Sequence, residues 1–328
     1  MKRMGAALMA GVVLLRAPWA QAPVERRSPP SARAGQAPQG VADAEIPTIQ
    51  VQSRLVNVAV NVADEHGAPV GDLGREDFAI SEDGKGQTIA VFEKESATPL
   101  SIVLAIDGSE SVLRNERLER EAAKRFVRAL LRDQDELDLM EFSDTVREIV
   151  SFTNDRKRIE GGLEELTRGT DTALYDAVYL GSQRLGQTRN DAGRRRVMVL
   201  ITDGGDTKNK STYRQAVEQA QRAGAMLYSI IIVPIAADAG RNTGGEHALI
   251  AMSEDTGGKY YYVEDPRDLE KAFARVSDDL RTQYVIGYYA PKGDRDTNFR
   301  KIKVKLTDPA LAGKDGLRYR SGYYVDAR

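Results

Sequence analysis

Residues 101–112 read SIVLAIDGSESV. A run of apolar and small residues ends in Asp107, and oxygen-bearing side chains then recur at every second position, at Asp107, Ser109 and Ser111. A short run with no polar alternation is the pattern of a strand buried on both faces, as in a parallel sheet covered by helices. The chain repeats that pattern in LDLMEF (137–142), RVMVLIT (196–202) and AMLYSIIIV (225–233).

Helical periodicity fills the intervals. ERLEREAAKRFVRALL (116–131) predicts a stripe of Leu118, Ala122, Phe126, Ala129 and Leu130. TALYDAVYLGSQRL (172–185), STYRQAVEQAQRAG (211–224) and ALIAMSEDTG (248–257) follow the same habit, and the last two end in glycines suited to helix termination. Strands alternating with helices predict a doubly wound, mostly parallel α/β sheet with helices on both faces. VREIVSF (146–152) follows LDLMEF too closely for a crossover, so it is read as an antiparallel edge strand. This α/β region is assigned to residues 98–281.

On either side the period changes to two. IQVQSRLVNVAVNV (49–62) alternates, with a slip at Leu55 that suggests a bulge. REDFAISEDGKGQTIAVFEKE (75–95) reads as two strands around the turn Asp83-Gly84. TQYVIGYYA (282–290), FRKIKVKL (299–306) and LRYRSGYYV (317–325) alternate again. Residues 48–97 and 282–328 are therefore expected to form one β-sandwich with the α/β region inserted between its halves. The tyrosine pairs and triplets in these strands are read as sheet packing.

Lys2 and Arg3, the apolar MGAALMAGVVLL and Ala20-Gln21-Ala22 read as an export signal over residues 1–22, too short to span a bilayer with ease. Residues 23–47, rich in Pro, Ala, Gln and Gly, read as a disordered linker. Export places the chain in the periplasm, at the cell surface or in the medium. The 47 basic and 49 acidic residues are interspersed, which argues against a nucleic-acid footprint. Arg194–Arg196 is the densest basic run and is read as a solvated helix end. With no cysteine and only His66 and His247, thiol and zinc-thiolate chemistry are excluded and imidazole chemistry has little material.

The strand VLIT, like VLAI, ends in an aspartate, Asp203 of TDGGDTK. Side chains alternate along an extended loop, so Asp107, Ser109 and Ser111 can present oxygens to one point at the carboxyl edge of the sheet. Two carboxylates with two hydroxyls make an all-oxygen set that suits a hard divalent cation. Either aspartate alone would also serve as a cap for the helix that follows.

DGSES, GTDTALYDAV and ITDGGD, in that order, resemble the three-part metal-ion-dependent adhesion site of von Willebrand factor type A domains. The flanking DFAISEDG, QYVIGYY, FRKIKVK and RSGYY resemble those of secreted bacterial relatives. The resemblance implies Mg2+, with Mn2+ or Ca2+ as alternatives, bound directly by Ser109, Ser111 and Thr172 and through water by Asp107 and Asp203. It implies a partner protein that presents Asp or Glu to the ion. Glu110 is expected to point away, Asp206 to stand behind the site or in solvent, and Asp176 to lie on a helix face. The rim loop 234–248 is expected to be mobile. A scaffold of an envelope assembly with a non-essential metal site is the alternative reading. A metal-dependent hydrolase is disfavoured because no general base stands near the motifs.

Overall fold

The computed structural model describes residues 54–94, 98–109, 116–188, 194–205, 207–233, 243–290, 299–311, 313 and 316–325. The expected export signal, the linker, Glu110, Ser111 and Asp206 lie outside the described residues.

A six-stranded sheet forms the centre. Its strands are β5 (Leu100–Asp107), β6 (Glu136–Phe142), β7 (Val146–Thr153), β8 (Arg195–Thr202), β9 (Ala225–Ile232) and β10 (Lys259–Val263). Their order across the sheet is β10-β9-β8-β5-β6-β7, parallel throughout except for β7, which pairs antiparallel with β6 at the edge as expected. Every residue of β5 is buried. Ile102, Leu104 and Ile106 face one core and Val103 and Ala105 the other, which is why this strand shows no polar alternation.

The first of those cores is covered by α1 (Glu116–Leu130), α2 (Arg156–Glu164) and α6 (Leu269–Arg281), with Phe126 of α1 stacked on Phe273 of α6 at 4.5 Å between ring centres. The second is covered by α3 (Leu174–Gln187), α4 (Tyr213–Ala223) and α5 (Thr243–Thr256). The glycines after α4 and α5, Gly224 and Gly257, both have positive φ. The buried stripe of α1 is Ala122, Ala123, Phe126, Val127 and Leu130, so Leu118, 44% exposed, and Ala129 fall outside it. The buried arc also takes in Glu119, 5% exposed, and is centred about a quarter turn from Leu118, which therefore lies at its edge. Residues 243–248, expected in the rim loop, begin α5 instead, while 234–242 lie outside the described residues.

The flanks build two four-stranded antiparallel sheets. One has the order β13-β1-β11-β4, formed by β13 (Leu317–Tyr319), β1 (Arg54–Val62), β11 (Tyr284–Ala290) and β4 (Val91–Lys94). The other has the order β14-β12-β2-β3, formed by β14 (Gly322–Tyr324), β12 (Phe299–Leu306), β2 (Phe78–Glu82) and β3 (Lys85–Gln87). Val56, Val58 and Val60 from the first meet Phe78, Ile80, Ile302 and Val304 from the second in one core, so the expected sandwich is present. Asp83 and Gly84 both take positive φ between β2 and β3, the geometry of the tight hairpin turn that Asp-Gly favours. Two details differ from expectation. The single strand expected after that turn breaks at residues 88–90 and its halves, β3 and β4, join different sheets. The described part of β1 pairs with β11 in unbroken register from Arg54 to Val60, without a bulge.

The chain leaves β4 to enter β5 and leaves α6 to enter β11, and both crossings lie at the amino-terminal edge of the central sheet. A polar network fastens the two parts there. Gln283 Nε2 donates to Asn61 Oδ1 (2.6 Å), Asn61 Nδ2 donates to the Asp279 carbonyl (2.9 Å), and Asp279 Oδ2 accepts from Tyr261 (2.8 Å) and Arg318 (3.0 Å). Arg195 belongs to this network, which corrects its reading as part of a solvated helix end. It opens β8, is only 7% exposed, and donates through Nη1 to the Leu280 carbonyl and to Gln283 Oε1.

Asp138, in the middle of β6, is fully buried, with the Arg184 guanidinium 3.5 Å away. Burial first, and the neighbouring Glu148 second, push its carboxyl up to about 8. A native pKa above the unfolded one means that the folded state binds more protons, so stability is present at low pH and is lost as pH rises from about 4 towards 8. Asp138→Asn should remove that component. Unfolding free energies from urea titrations across this window should fall less steeply in the variant, by at most about 1.4 kcal/mol per pH unit; identical slopes in the two proteins would contradict the assignment.

Candidate metal centre

β5 and β8 are neighbours, and the connections that leave their carboxyl ends run to opposite faces of the sheet, α1 to one and α4 to the other. Such a switch point opens a crevice at the strand ends. Asp107 closes β5 there, and Thr202 and Asp203 close β8.

Asp107 is fully buried. Its Oδ2 accepts from the Thr202 hydroxyl at 2.6 Å across the strand pair, and its Oδ1 accepts from the Ser109 amide at 2.9 Å. Burial raises its carboxyl to about 7; hydrogen bonds from Thr202 and Ser109 work against that, and the charge of Asp203 works with it. Thr202 Oγ1 also accepts from the Gly204 amide at 3.1 Å, which fixes the turn after β8. Asp203 Oδ1 in turn accepts from the Gly205 amide at 2.8 Å.

Thr172 reaches the same turn from the loop before α3. Its amide donates to Thr207 Oγ1 (2.8 Å), and its carbonyl accepts from the amides of Thr207 (2.9 Å) and Lys208 (3.1 Å). A Cβ placed on Gly205 would lie 3.0 Å from Asp203 Oδ1 and 3.4 Å from Thr172 Oγ1. The carboxylate and the hydroxyl therefore border one small cradle at Gly205, which an added Cβ would crowd. Asp176, expected simply on a helix face, sits in the first turn of α3 and holds the 207–211 loop. Burial would raise its carboxyl, but donation from the Lys210 and Ser211 amides outweighs that and keeps it below the usual range.

Ser109 is buried and pairs with Gly169 as an isolated parallel bridge. Gly169 N donates to the Gly108 carbonyl at 2.9 Å, and Gly108 N donates to the Phe142 carbonyl at 2.8 Å. A side chain at position 108 would come within 2.8 Å of the Thr167 carbonyl, so the second residue of DGS has to be glycine for the loops to meet. Glu141, almost fully buried at the end of β6, anchors this approach. Its carboxylate accepts from the Thr167 amide and hydroxyl and from Arg147.

Asp107 and Ser109 thus stand together at the end of β5, and Asp203 and Thr172 together at the end of β8. Thr202 joins the two pairs. Ser111 lies outside the described residues. The supporting roles of Thr202, Glu141 and Thr207 escaped the sequence reading, although Glu141 left a signal as an acid in the apolar strand LDLMEF. Among the described residues, no three His, Cys, Asp or Glu side chains cluster so as to hold a metal. A cation here would rest on two carboxylates supplemented by hydroxyls, and the all-oxygen donors around the glycine cradle fit a small hard ion.

Residues 101–275 match the family described as von Willebrand factor type A domain. The human protein calcium-activated chloride channel regulator 4 is 25% identical over 171 residues, covering 50% of this chain and 17% of that protein, so the chain spans about a sixth of its length. Among solved structures, the vWF domain of the type V pili tip protein Mfa5 from Porphyromonas gingivalis aligns with a TM-score of 0.47 at 12% identity, over 56% of this chain and 96% of that one. BatB from Bacteroides thetaiotaomicron, a conserved hypothetical protein, aligns with a TM-score of 0.43 at 19% identity, over 55% and 98%.

Thr202→Val keeps the shape of the side chain and removes the donor to Asp107. In the presence of chelator it should lower stability by about 1–3 kcal/mol, the cost of stranding a buried carboxyl oxygen. A denaturant midpoint within error of wild type would contradict the hydrogen bond.

Proposed function

The chain belongs to the von Willebrand factor type A domain family, and from that premise we propose that it is an exported, non-enzymatic protein-binding module of the adhesion type. A divalent cation, Mg2+ in the first instance, would be held by Asp107, Ser109, Ser111, Thr172 and Asp203. When bound it would supply an open coordination position for a carboxylate of a partner protein. The observation that carries this reading is the cradle at Gly205, bordered by Asp203 Oδ1 and Thr172 Oγ1 and reached from Asp107 through Thr202.

The chain's own groups divide the work. Asp107 and Asp203 provide the negative charge, and the hydrogen bonds to Thr202, Ser109 and Gly205 fix which way their oxygens face. Thr172, braced by Thr207, offers a neutral oxygen. Two carboxylates do not exceed the charge of a divalent ion, so an anionic partner is still attracted. A non-enzymatic role is supported by the placement of the histidines. Both His66 and His247 are exposed, and neither bonds to the site residues among the described contacts. Export is supported by the amino-terminal sequence pattern. Among the described residues no helix is long and apolar enough to cross a membrane.

The test is capture of partner proteins from a cell-envelope extract on immobilised full-length chain, with Mg2+ and with EDTA, beside Asp203→Ala. Capture should require Mg2+ and be lost in the variant, while circular dichroism shows both proteins folded. Equal capture in EDTA would refute the reading.

A further inference from the structure

The first turn of α5 lies against the turn that carries Asp203. Gly204, the next residue, has a φ of 80°, and a Cβ added there would lie 3.1 Å from the Glu246 amide nitrogen and 3.5 Å from Glu246 Cγ. From the other side, a Cβ on Gly245 would run into the Gly204 carbonyl. Backbone meets backbone here with no side chain between them. A close-packed contact of this kind passes a shift of the helix on to the turn.

Glu246 is only 5% exposed, although acids in the first turn of a helix usually face water. Its Oε2 accepts from the Tyr262 hydroxyl at 3.2 Å. Tyr262 stands on the edge strand β10, 42% exposed, with the Tyr260 ring edge-on to it. The bond therefore ties the start of α5 to the edge of the central sheet.

Further along, α5 is fastened to β9. Ser253 Oγ lies 3.0 Å from Ser229 Oγ, and Thr256 Oγ1 accepts from the Leu227 amide at 3.0 Å. At its end the Asp255 carbonyl accepts from the Ser321 amide, between β13 and β14, at 3.1 Å. Sliding the helix would break these bonds, several of them buried, so its first turn is held in one place.

We propose that Glu246 and Tyr262 are positioning residues for the metal centre: they hold the first turn of α5 against Gly204 and so fix where the Asp203 carboxylate stands. The proposal rests on the reading of Asp203 as a metal ligand. Neither residue is a ligand itself, and Glu246 acts on Asp203 through Gly204. Groups that orient a ligand from behind set metal affinity strongly, and losing one typically costs about 10–100-fold.

The test is Mn2+ binding to the full chain, read from the paramagnetic resonance of the free ion, with urea unfolding in EDTA beside it. The wild type should bind Mn2+ at a site that Asp203→Ala abolishes. Tyr262→Phe, which removes the donor at an exposed position, should weaken Mn2+ severalfold and leave metal-free stability nearly unchanged. Glu246→Ala should weaken it by about tenfold, and Glu246→Gln, which keeps an acceptor for Tyr262, should restore most of the affinity. If Glu246→Ala does not fold, Tyr262→Phe decides. Wild-type binding with Mn2+ affinity unchanged in Tyr262→Phe and Glu246→Ala overturns the proposal and leaves Asp203 a ligand. Glu246→Gln as weak as Glu246→Ala also overturns it, because charge and not position would then set the affinity. Absence of Asp203-dependent binding in the wild type removes the metal centre and this proposal with it.

Discussion

Asp107 carries a carboxyl into a place with no bulk water, and each of its two oxygens is met by a hydrogen from a different part of the chain. The Thr202 hydroxyl comes across from the adjacent strand at 2.6 Å, and the Ser109 amide turns back from the loop at 2.9 Å. These two bonds settle more than the comfort of one side chain. The first ties the carboxyl end of β5 to that of β8, the strands that flank the switch point. The second bends the DGS loop so that it runs beside Gly169, which positions the segment leading to Thr172. The residual cost is visible in the raised Asp107 carboxyl, which the protein donors reduce and do not cancel. A nearby cation would offset the remainder.

The sequence made the central sheet legible because burial on both faces leaves a plain signature. SIVLAI and VMVLIT have no room for alternation when each side of the strand meets its own helical layer. The flanks were legible for the opposite reason, since one face of each sheet meets solvent and the period of two survives. Pattern reading failed where tertiary contacts decide. In α1 the buried arc is centred about a quarter turn from the stripe drawn through Leu118, and it takes in the acid Glu119, which apolar periodicity passes over. The break between β3 and β4 depends on which sheet each half can join, and Arg195 looked like part of a solvated basic run because its partners, Leu280 and Gln283, are far away in the chain.

The placement of the candidate site residues was legible in part. Its oxygen-bearing residues follow strand ends in the sequence, and the structure sets Asp107 with Ser109 and Asp203 with Thr172. The residues that aim them were hidden. Thr202 looks like the last residue of an apolar strand, and Thr207 and Glu141 act on loops remote in sequence. Both ends of the sheet thus carry charge held by the fold, the carboxylates at one edge and the arginines at the other. The flanking sheets are fastened at the arginine edge.

The most direct measurement is a crystal structure of the protein grown with Mn2+, with data collected at the manganese absorption edge. The account predicts one anomalous peak at the carboxyl edge of β5 and β8, among the oxygens of Asp107, Ser109, Thr172 and Asp203. A well-ordered loop in saturating Mn2+ with no peak there, or a peak held by other residues, would contradict it.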